Sequence, residues 1–249
     1  MGHFLLNSHR FGVASAFPNA LSTDFDGSNE YAKGGNNLNI GSSDFTVSCW
    51  VKADTVLGPR GIVTKGTLGA NAGYAINISN VGPNPKLSCQ VRDSSNNIRS
   101  AGADTTVSTG QWYHTVMTAE LSSSTGLKFY LDGIAESTTG NLSTLGATLD
   151  SVKEFCIGAR HSGNFDLEFD GHIDEVTVWL GAAFSAAEVT ELYNSGSPAD
   201  PTTHSQSGNL TAWYRMGDGD TFSTITDNVG SVDLAMVNME SGDFTADVP

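Results

Sequence analysis

The stretch that decides the fold is residues 155–196, FCIGARHSGNFDLEFDGHIDEVTVWLGAAFSAAEVTELYNSG. Its first part holds two runs of alternating or β-branched apolar residues, which are typical of strands. Ser185 then stands three residues before Glu188, which is the spacing of a capping box, and Gly196 is placed to end a helix in the left-handed conformation. The spacing predicts one short helix over 185–195. A lone helix after many strands cannot carry a fold, so we expect it to cover one end of a β architecture.

Strand-like segments recur at short intervals along the rest of the chain. Turns rich in Gly, Pro, Asn and Asp separate them. The pattern predicts an all-β fold, a two-sheet antiparallel jelly-roll sandwich with one short helix. The predicted strands cover residues 21–26, 29–33, 37–40, 45–53, 61–65, 73–79, 86–92, 97–101, 111–119, 127–132, 153–159 and 172–180.

The composition is that of a chain that buries a substantial core. Of its 249 residues, 39% are hydrophobic and 16% are charged, so one large β domain or two small domains both fit. The net charge of −15 would repel phosphate groups, which argues against nucleic acid and against anionic membranes as partners. We expect neither a signal peptide nor a transmembrane segment, because no cationic start precedes an apolar stretch and no apolar run approaches about 20 residues.

The chain has three cysteines, Cys49, Cys89 and Cys156, and each lies in a predicted strand. An odd number cannot form a complete set of disulfides. We therefore expect small buried thiols.

The chain divides into four predicted parts. Residues 1–19 form an N-terminal arm whose apolar residues need a surface to cover, and we expect that surface on a neighbouring subunit. Residues 20–196 form the jelly roll, and 197–208 form a polar linker. Residues 209–249 either complete the same sandwich or contact a neighbour.

Ordered motifs in this chain resemble a known family. Residues 169–179 read F-x-G-x-I-D-E-V-x-V-W, residues 184–193 read F-S-A-A-E-V-x-x-L-Y, and residues 20–27 are similar to an A-L-x-F-D-G start. In this order they resemble laminin-G-like jelly rolls of the concanavalin A-like lectin/glucanase superfamily, over about residues 16 to 196. The resemblance implies the fold. It leaves the function open, because the same fold hosts enzymes, lectins and structural modules.

The C-terminal segment suggests a circular permutation. Residues 210–213 and 226–230 are similar to a segment that precedes the A-L-x-F-D-G start in relatives, whereas here they follow the jelly roll. We expect residues 210–216 to pair into the sheet that holds 172–180 or 21–26. Strand alternation would place one set of side chains on one face and the next set on the other. The two sets are Leu210, Ala212 and Tyr214, and Thr211, Trp213 and Arg215.

The resemblance extends to virion proteins of tailed phages, in which this closing signature is common. It implies a non-enzymatic virion structural protein, a capsid decoration or a tail or appendage subunit. Its partners would be other virion proteins or copies of itself, with host surface glycans as a further candidate. One alternative is a secreted carbohydrate-binding module, and a second is a divergent glycoside hydrolase.

The enzyme alternative needs paired carboxylates on one strand. The nearest match is Glu168 and Asp170, but Ile173 stands where relatives with glucanase activity carry a third acid. We therefore expect no enzymatic activity, and we interpret the two acids as residues of a solvated loop or an edge strand. The histidines have no zinc-ligand spacing, and we expect His114 and His172 to be structural.

Two kinds of binding site remain candidates. The resemblance implies Ca²⁺ near Asp174, with Asp227 and Asp26 as further ligands; alternatively, Asp227 forms a turn and Asp174 caps a strand. Strand alternation takes Trp50 and Trp179 away from the main core, which makes them candidates for stacking on a sugar ring. Alternatively, both rings cover the second face of the sheet beneath loops.

Overall fold

Two antiparallel sheets pack face to face, and a small hairpin lies beside them. A computed structural model describes residues 17–66, 71–79, 84–161 and 164–249. Within these residues the strands are β1 Ser22–Asp26, β2 Tyr31–Lys33, β3 Phe45–Ala53, β4 Arg60–Gly66, β5 Gly73–Ser79, β6 Lys86–Arg92, β7 Ile98–Gly102, β8 Trp112–Ala119, β9 Leu127–Leu131, β10 Ile134–Ala135, β11 Phe155–Ile157, β12 Arg160–His161, β13 Phe165–Asp166, β14 Asp170–Leu180, β15 Leu210–Tyr214, β16 Thr224–Ile225, β17 Leu234–Val237 and β18 Phe244–Thr245.

The strand order confirms the predicted two-sheet sandwich. The first sheet runs β10-β9-β8-β3-β14-β1-β18, and β15 also pairs with β14. The second sheet runs β16-β17-β2-β11-β4-β5-β6-β7, and β12 and β13 form the separate hairpin. Alternate apolar side chains of both sheets meet between them in one continuous core.

The three cysteines are buried and unpaired, which confirms the prediction of inert thiols. Burial raises the pKa of each thiol because the thiolate would lose its hydration. None of them is therefore activated as a nucleophile.

The predicted strand at 37–40 is wrong. Leu38 and Ile40 are buried, which produced the apolar pattern, but the segment pairs with no strand. Leu38 has a φ of 56°, a left-handed conformation that interrupts an extended chain. The segment is an irregular loop whose side chains enter the core.

The predicted helix forms as α1, Ala186–Tyr193, and the capping box between Ser185 and Glu188 is present. The helix ends earlier than predicted. Asn194, with a φ of 48°, takes the left-handed position that the sequence pattern assigned to Gly196. Asn tolerates this conformation better than most residues with a side chain.

The C-terminal segment completes the sandwich, as predicted. Strand β15 pairs antiparallel with β14, and β18 pairs with β1 in the same sheet. Strands β16 and β17 extend the second sheet beside β2. Residues 209–249 therefore contribute strands to both sheets of their own chain.

The predicted facing of β15 is wrong at one residue. Ala212 and Tyr214 enter the core between the sheets, as expected. Leu210 packs instead with Trp213 on the other side of the sheet. The pairing with β14 shifts between Val178 and Trp179, and this irregularity places the Leu210 side chain on the opposite face of the sheet.

The predicted linker, 197–208, is a packed cover rather than a loose connection. It contains one 3-10 turn, Pro201–Thr203, and leads into a second, Ser207–Asn209. His204 is buried, and its Nε2 lies 2.9 Å from the Glu188 carbonyl oxygen of α1. The linker therefore holds the helix on the sheet.

Most of the N-terminal arm, residues 1–16, lies outside the described residues. Its last residues contact the C-terminal segment: the Phe17 and Trp213 ring centroids are 6.0 Å apart, and the Arg215 guanidinium lies over the Phe17 ring. In the described part of the chain, no helix is long and apolar enough to cross a membrane.

Candidate functional site

The outer face of the first sheet is buried where α1 and the linker lie over it, and we call this area the covered face. It forms a second apolar cluster, separate from the core between the sheets. Its buried members are Val116, Tyr130, Trp179, Phe184, Val189, Leu192, Leu210 and Trp213.

Both predicted sugar-binding tryptophans lie on the covered face. Trp179 is fully buried, and its Nε1 donates to Thr177 Oγ1 at 2.7 Å. Trp50 is 5% exposed and lies near the rings of His114 and Tyr193, at centroid distances of 4.9 and 5.8 Å. The prediction that they leave the main core is correct. The prediction that they stack on sugar needs correction, because neither ring presents a face to solvent.

His114 is buried, but it lies on the covered face beside the rings of Trp50 and Tyr193 rather than in the core between the sheets. Burial lowers the pKa of His114 to about 3, because the imidazolium would lose its hydration. It is therefore neutral at physiological pH.

Asp174 and Glu175 lie side by side at an irregularity of β14. The pairing with β3 shifts between Asp174 and Thr177, and Glu175 has a φ of 46°. Asp174 accepts hydrogen bonds from Asn19 Nδ2 and Glu175 N, both at 2.8 Å. Burial, followed by the charge of Glu175, raises the pKa of Asp174 well above its usual value.

Glu175 is tied to β15 rather than to solvent. It accepts from Trp213 Nε1 at 2.5 Å and from Arg215 Nε at 3.3 Å. Burial raises the pKa of Glu175 to about 7, against the lowering effect of these two partners. The pair of acids thus joins β14 to β15 and to the start of the described chain.

The three predicted calcium ligands do not converge. Asp227 accepts backbone hydrogen bonds from Trp213, Val229, Gly230 and Val232, which is the role of a turn former. Asp26 is paired with Asp170 on the neighbouring strand. Because Asp170 precedes Asp174 by four residues of an extended strand, Asp26 lies about 13 Å from Asp174.

Asp26 is also occupied locally, because it accepts from the backbone N–H groups of Ser28 and Asn29. Calcium requires six to eight oxygen ligands. The carboxylate oxygens of Asp26, Asp174 and Asp227 lie in three separate places and already accept hydrogen bonds from N–H groups. They do not fit that requirement, so these residues do not form a calcium site as a set.

The position of the third acid in the enzyme alternative is filled by a core residue. Ile173 lies in the core between the sheets, so the position where relatives carry an acid faces inward. Asp170 begins β14, which pairs with β1 on one side and β3 on the other. The expectation of an edge strand at Asp170 is therefore wrong, although the absence of a paired acid at position 173 holds.

An open depression on the outer face of the second sheet, which we call the polar groove, is the candidate ligand site. It has a volume of about 420 Å³ and lies over β5, β6 and β7. Polar side chains at alternate positions of these strands line it, together with Asp104 and Thr138 from loops. The strand residues are Asn77, Ser79, Lys86, Ser88, Gln90 and Ser100.

Asn77 lies on the floor of the polar groove, directly opposite Ser88. Its Nδ2 donates to Ser88 Oγ at 3.1 Å, whereas its buried Oδ1 accepts no hydrogen bond from the described residues. Gly102 is also paired with Ser88 and has no side chain to fill the groove. A Cβ at this position would lie 3.0 Å from Ser88 Cβ.

The groove carries opposite charges. Lys86 and Asp104 both line it, and Asp104 accepts from Ser137 N at 3.1 Å and Ser137 Oγ at 2.8 Å. These hydrogen bonds from Ser137 lower the pKa of Asp104, so it is ionised at neutral pH. Ammonium, carboxylate, amide and hydroxyl groups therefore meet in one depression.

A larger cavity of about 610 Å³ lies among the loops at residues 41–42, 121–122 and 145–149. Its walls are apolar or carry single hydroxyl groups. The polar groove is smaller but has the richer chemistry, so we regard it as the better candidate. No sequence motif indicated the groove, although polar residues at every second position of 86–92, and at 77 and 79 of the neighbouring strand, were a visible signal.

Comparisons with known proteins agree with this architecture. The family model of the concanavalin A-like lectin/glucanases superfamily, Laminin_G_3, matches residues 26–190, more than half of the chain. No curated protein sequence gave a match.

Solved structures with the same fold have low sequence identity. A proposed carbohydrate-binding protein from Bacteroides ovatus aligns with a TM-score of 0.62 at 18% identity, over 88% of this chain and 58% of its own. A heptameric SAP-like pentraxin from Limulus polyphemus aligns at 0.57 and 15% identity, over 70% and 82%. Domain 4 of AbnA, an extracellular arabinanase from Geobacillus stearothermophilus solved with arabinotriose, aligns at 0.50 and 19% identity, over 69% and 76%. The chain belongs to the concanavalin A-like lectin/glucanase superfamily.

Proposed function

We propose that the protein is a non-enzymatic carbohydrate-binding module and that the polar groove is its binding site. The observation that carries the proposal is an open depression lined by the amides of Asn77 and Gln90, by serine hydroxyls, and by Lys86 and Asp104. The groove volume, about 420 Å³, lies within the usual range of ligand sites, about 300–1,000 Å³. A sugar matches its chemistry, because each hydroxyl both donates and accepts.

The expected ligand is a neutral glycan. The chain carries a net charge of −15, and Asp104 adds a carboxylate to the groove itself. Sialylated or sulfated chains would be repelled. Among the described residues that line the groove there is no aromatic ring, so binding would depend on hydrogen bonds and would be weak for a single sugar.

A glycan-binding measurement with matched variants tests the proposal. A glycan found by array screening should lose roughly 5–100-fold in affinity on Asn77→Ala or Lys86→Ala, the usual loss for one buried or charged hydrogen bond. Lys128→Ala is the control, because Lys128 lies on β9 of the other sheet. Unchanged affinity in both groove variants, with melting curves that show a folded protein, would reject the groove as the site.

The absence of enzymatic activity is part of the proposal. Glycoside hydrolysis uses two carboxyl groups on either side of the scissile bond. Among the described residues that line the groove, Asp104 supplies the one carboxylate. Release of reducing sugar from laminarin, agarose or alginate at catalytic rates would contradict this part.

We further propose that the module serves in the virion of a tailed phage, as a capsid decoration or a tail or appendage subunit. The support is the resemblance of residues 209–230 to a segment that is common in such proteins. A secreted carbohydrate-binding module would use the same groove. Capsid and tail genes beside the coding sequence would favour the virion, whereas genes for polysaccharide use would favour the secreted module.

Assembly would run through residues 1–16, which include Phe4, Leu5, Leu6 and Phe11. Deleting them should leave a folded module, because Phe17 and the residues after it make the contacts with β15. Light scattering should then show a smaller particle than the full chain forms. An unfolded deletion variant would assign the arm to the core instead.

A further inference from the structure

Three side chains that bind metals meet on the outer face of the first sheet, away from α1. Asp24 lies on β1, Asp54 follows β3, and His172 lies on β14. One potential ligand atom from each lies within 4.8 Å of the other two. Asp24 is directly opposite His172 in the strand pairing, and His172 is opposite Lys52, two residues before Asp54. We call these three residues the His172 cluster.

Two hydroxyl groups hold the ring of His172 in place. Its Nδ1 lies 3.4 Å from Ser22 Oγ and 3.3 Å from Thr245 Oγ1. Either hydroxyl can donate to Nδ1 or accept from it. With Nδ1 held on this side, Nε2 points towards the acids of the cluster.

Nε2 of His172 faces carboxylates. It is 3.8 Å from Asp24 Oδ1 and 4.0 Å from Asp247 Oδ2. A proton or a cation between the nitrogen and these oxygens would stabilise the arrangement. A hydrogen bond between the second ring nitrogen and an oxygen is also the usual arrangement of a metal-binding histidine.

The two acids of the cluster have no basic partner of their own. Lys52 pairs with Asp247, which also accepts from Trp112 Nε1 at 3.1 Å. Among the described residues, neither Asp24 nor Asp54 forms an ion pair with Lys or Arg. Two carboxylates therefore share one histidine.

We propose that Asp24, Asp54 and His172 form a binding site for a divalent transition metal ion, with Zn²⁺ as the best match. The donor atoms of His172 and Asp24 are 3.8 Å apart and can both lie about 2.1 Å from one ion, the distance typical of Zn²⁺ with nitrogen or carboxylate oxygen. Asp54, whose oxygen lies within 4.8 Å of both, is exposed and would reach the ion by rotation of its side chain. One imidazole and two carboxylates suit Zn²⁺ better than Ca²⁺, which prefers oxygen alone. The bound ion would link β1, β3 and β14 and would keep open positions for water or a ligand.

The test begins with full-length protein freed of metal by EDTA and dialysis. Calorimetric titration with Zn²⁺ should give one high-affinity ion per chain, and Zn²⁺ should raise the melting temperature because it binds the folded state. Asp24→Asn and His172→Gln should each weaken binding at least tenfold. Asp26→Asn is the matched control on the same strand, since Asp26 lies outside the cluster, and it should bind like the unaltered chain.

A spectroscopic readout makes the site specific. The rings of Trp112 and His172 are 6.1 Å apart, so Cu²⁺ or Ni²⁺ in the cluster should quench the fluorescence of Trp112. Trp112→Phe should remove most of the quenching without weakening Zn²⁺ binding.

Failure of the unaltered chain to bind Zn²⁺ would overturn the proposal. Binding that persists in both Asp24→Asn and His172→Gln would also overturn it and would indicate another site, for example His3 and His9 of the arm. Stabilisation by Ca²⁺ but not by Zn²⁺ would equally reject a transition-metal site. Glycan binding in the polar groove is a separate measurement, so either proposal can fail alone.

Discussion

The outer face of the first sheet is buried under a helix and a linker, whereas the outer face of the second sheet is open over β5, β6 and β7. The difference begins with the size of the outward side chains. The first sheet turns Trp50, Trp179 and Tyr130 outward, and these rings need a cover. The second sheet turns out small polar groups such as Ser88 and Ser100, which water or a ligand can meet directly. The face that is rich in aromatic rings therefore contributes stability, and the plain polar face is available for binding.

The largest expected effect comes from removing the largest ring of the covered face. Trp179→Ala should lower the free energy of unfolding by about 3–5 kcal/mol, because a fully buried ring is lost and a cavity remains. Gln90→Ala in the polar groove should change it by less than about 0.5 kcal/mol. Denaturant unfolding of the two variants measures the contrast. Similar small losses in both would show that the helix and linker do not pack tightly on the sheet.

The second expected effect is a dependence of stability on pH that arises from the covered face. The folded protein holds the pKa of Glu175 at about 7, above the ordinary value of 4.5. The folded state therefore binds the proton more tightly than the unfolded state, so stability is full below about pH 4.5 and falls as pH rises to 7. The shift corresponds to a loss of up to about 3 kcal/mol.

Glu175→Gln should reduce this loss of stability between pH 4.5 and 7, because Gln cannot ionise. Burial also raises the pKa of the neighbouring Asp174, so the informative quantity is the difference between the variant and the unaltered chain. Glu191→Gln is the opposing control. Hydrogen bonds from Ser205 lower the pKa of Glu191, so its contribution is lost on acidification instead. Equal slopes for Glu175→Gln and the unaltered chain between pH 4.5 and 7 would contradict the expectation.

Local patterns in the sequence predicted most of the fold. The predicted ranges 45–53, 73–79 and 86–92 coincide with β3, β5 and β6, because alternation and flanking turns define a strand within its own segment. The capping box at Ser185 is equally local. The pairing of β15 followed from a resemblance and from the need to cover a sheet edge.

Features that depend on pairing between distant segments could not be predicted. The irregularity that places Leu210 on the opposite face of the sheet arises only when β15 pairs with β14. The His172 cluster combines residues 24, 54 and 172, whose spacing in the chain resembles no metal motif. The two tryptophans were placed on the correct side of the sheet, but their burial depends on the linker that folds over them.

The smallest expected effect tests what holds the cover in place. Ser185 Oγ accepts from Glu188 N, and Glu188 Oε2 accepts from Ser185 N at 2.7 Å, which closes the first turn of α1. Ser185→Ala should cost about 1 kcal/mol, the usual value of an N-cap, because an N–H group at the helix start loses its partner. Ser100→Ala in the polar groove replaces the same residue type on the open face and should cost almost nothing. If both substitutions cost the same in thermal unfolding, α1 does not contribute to stability as a cover, and the contrast between the two faces would rest on the buried rings alone.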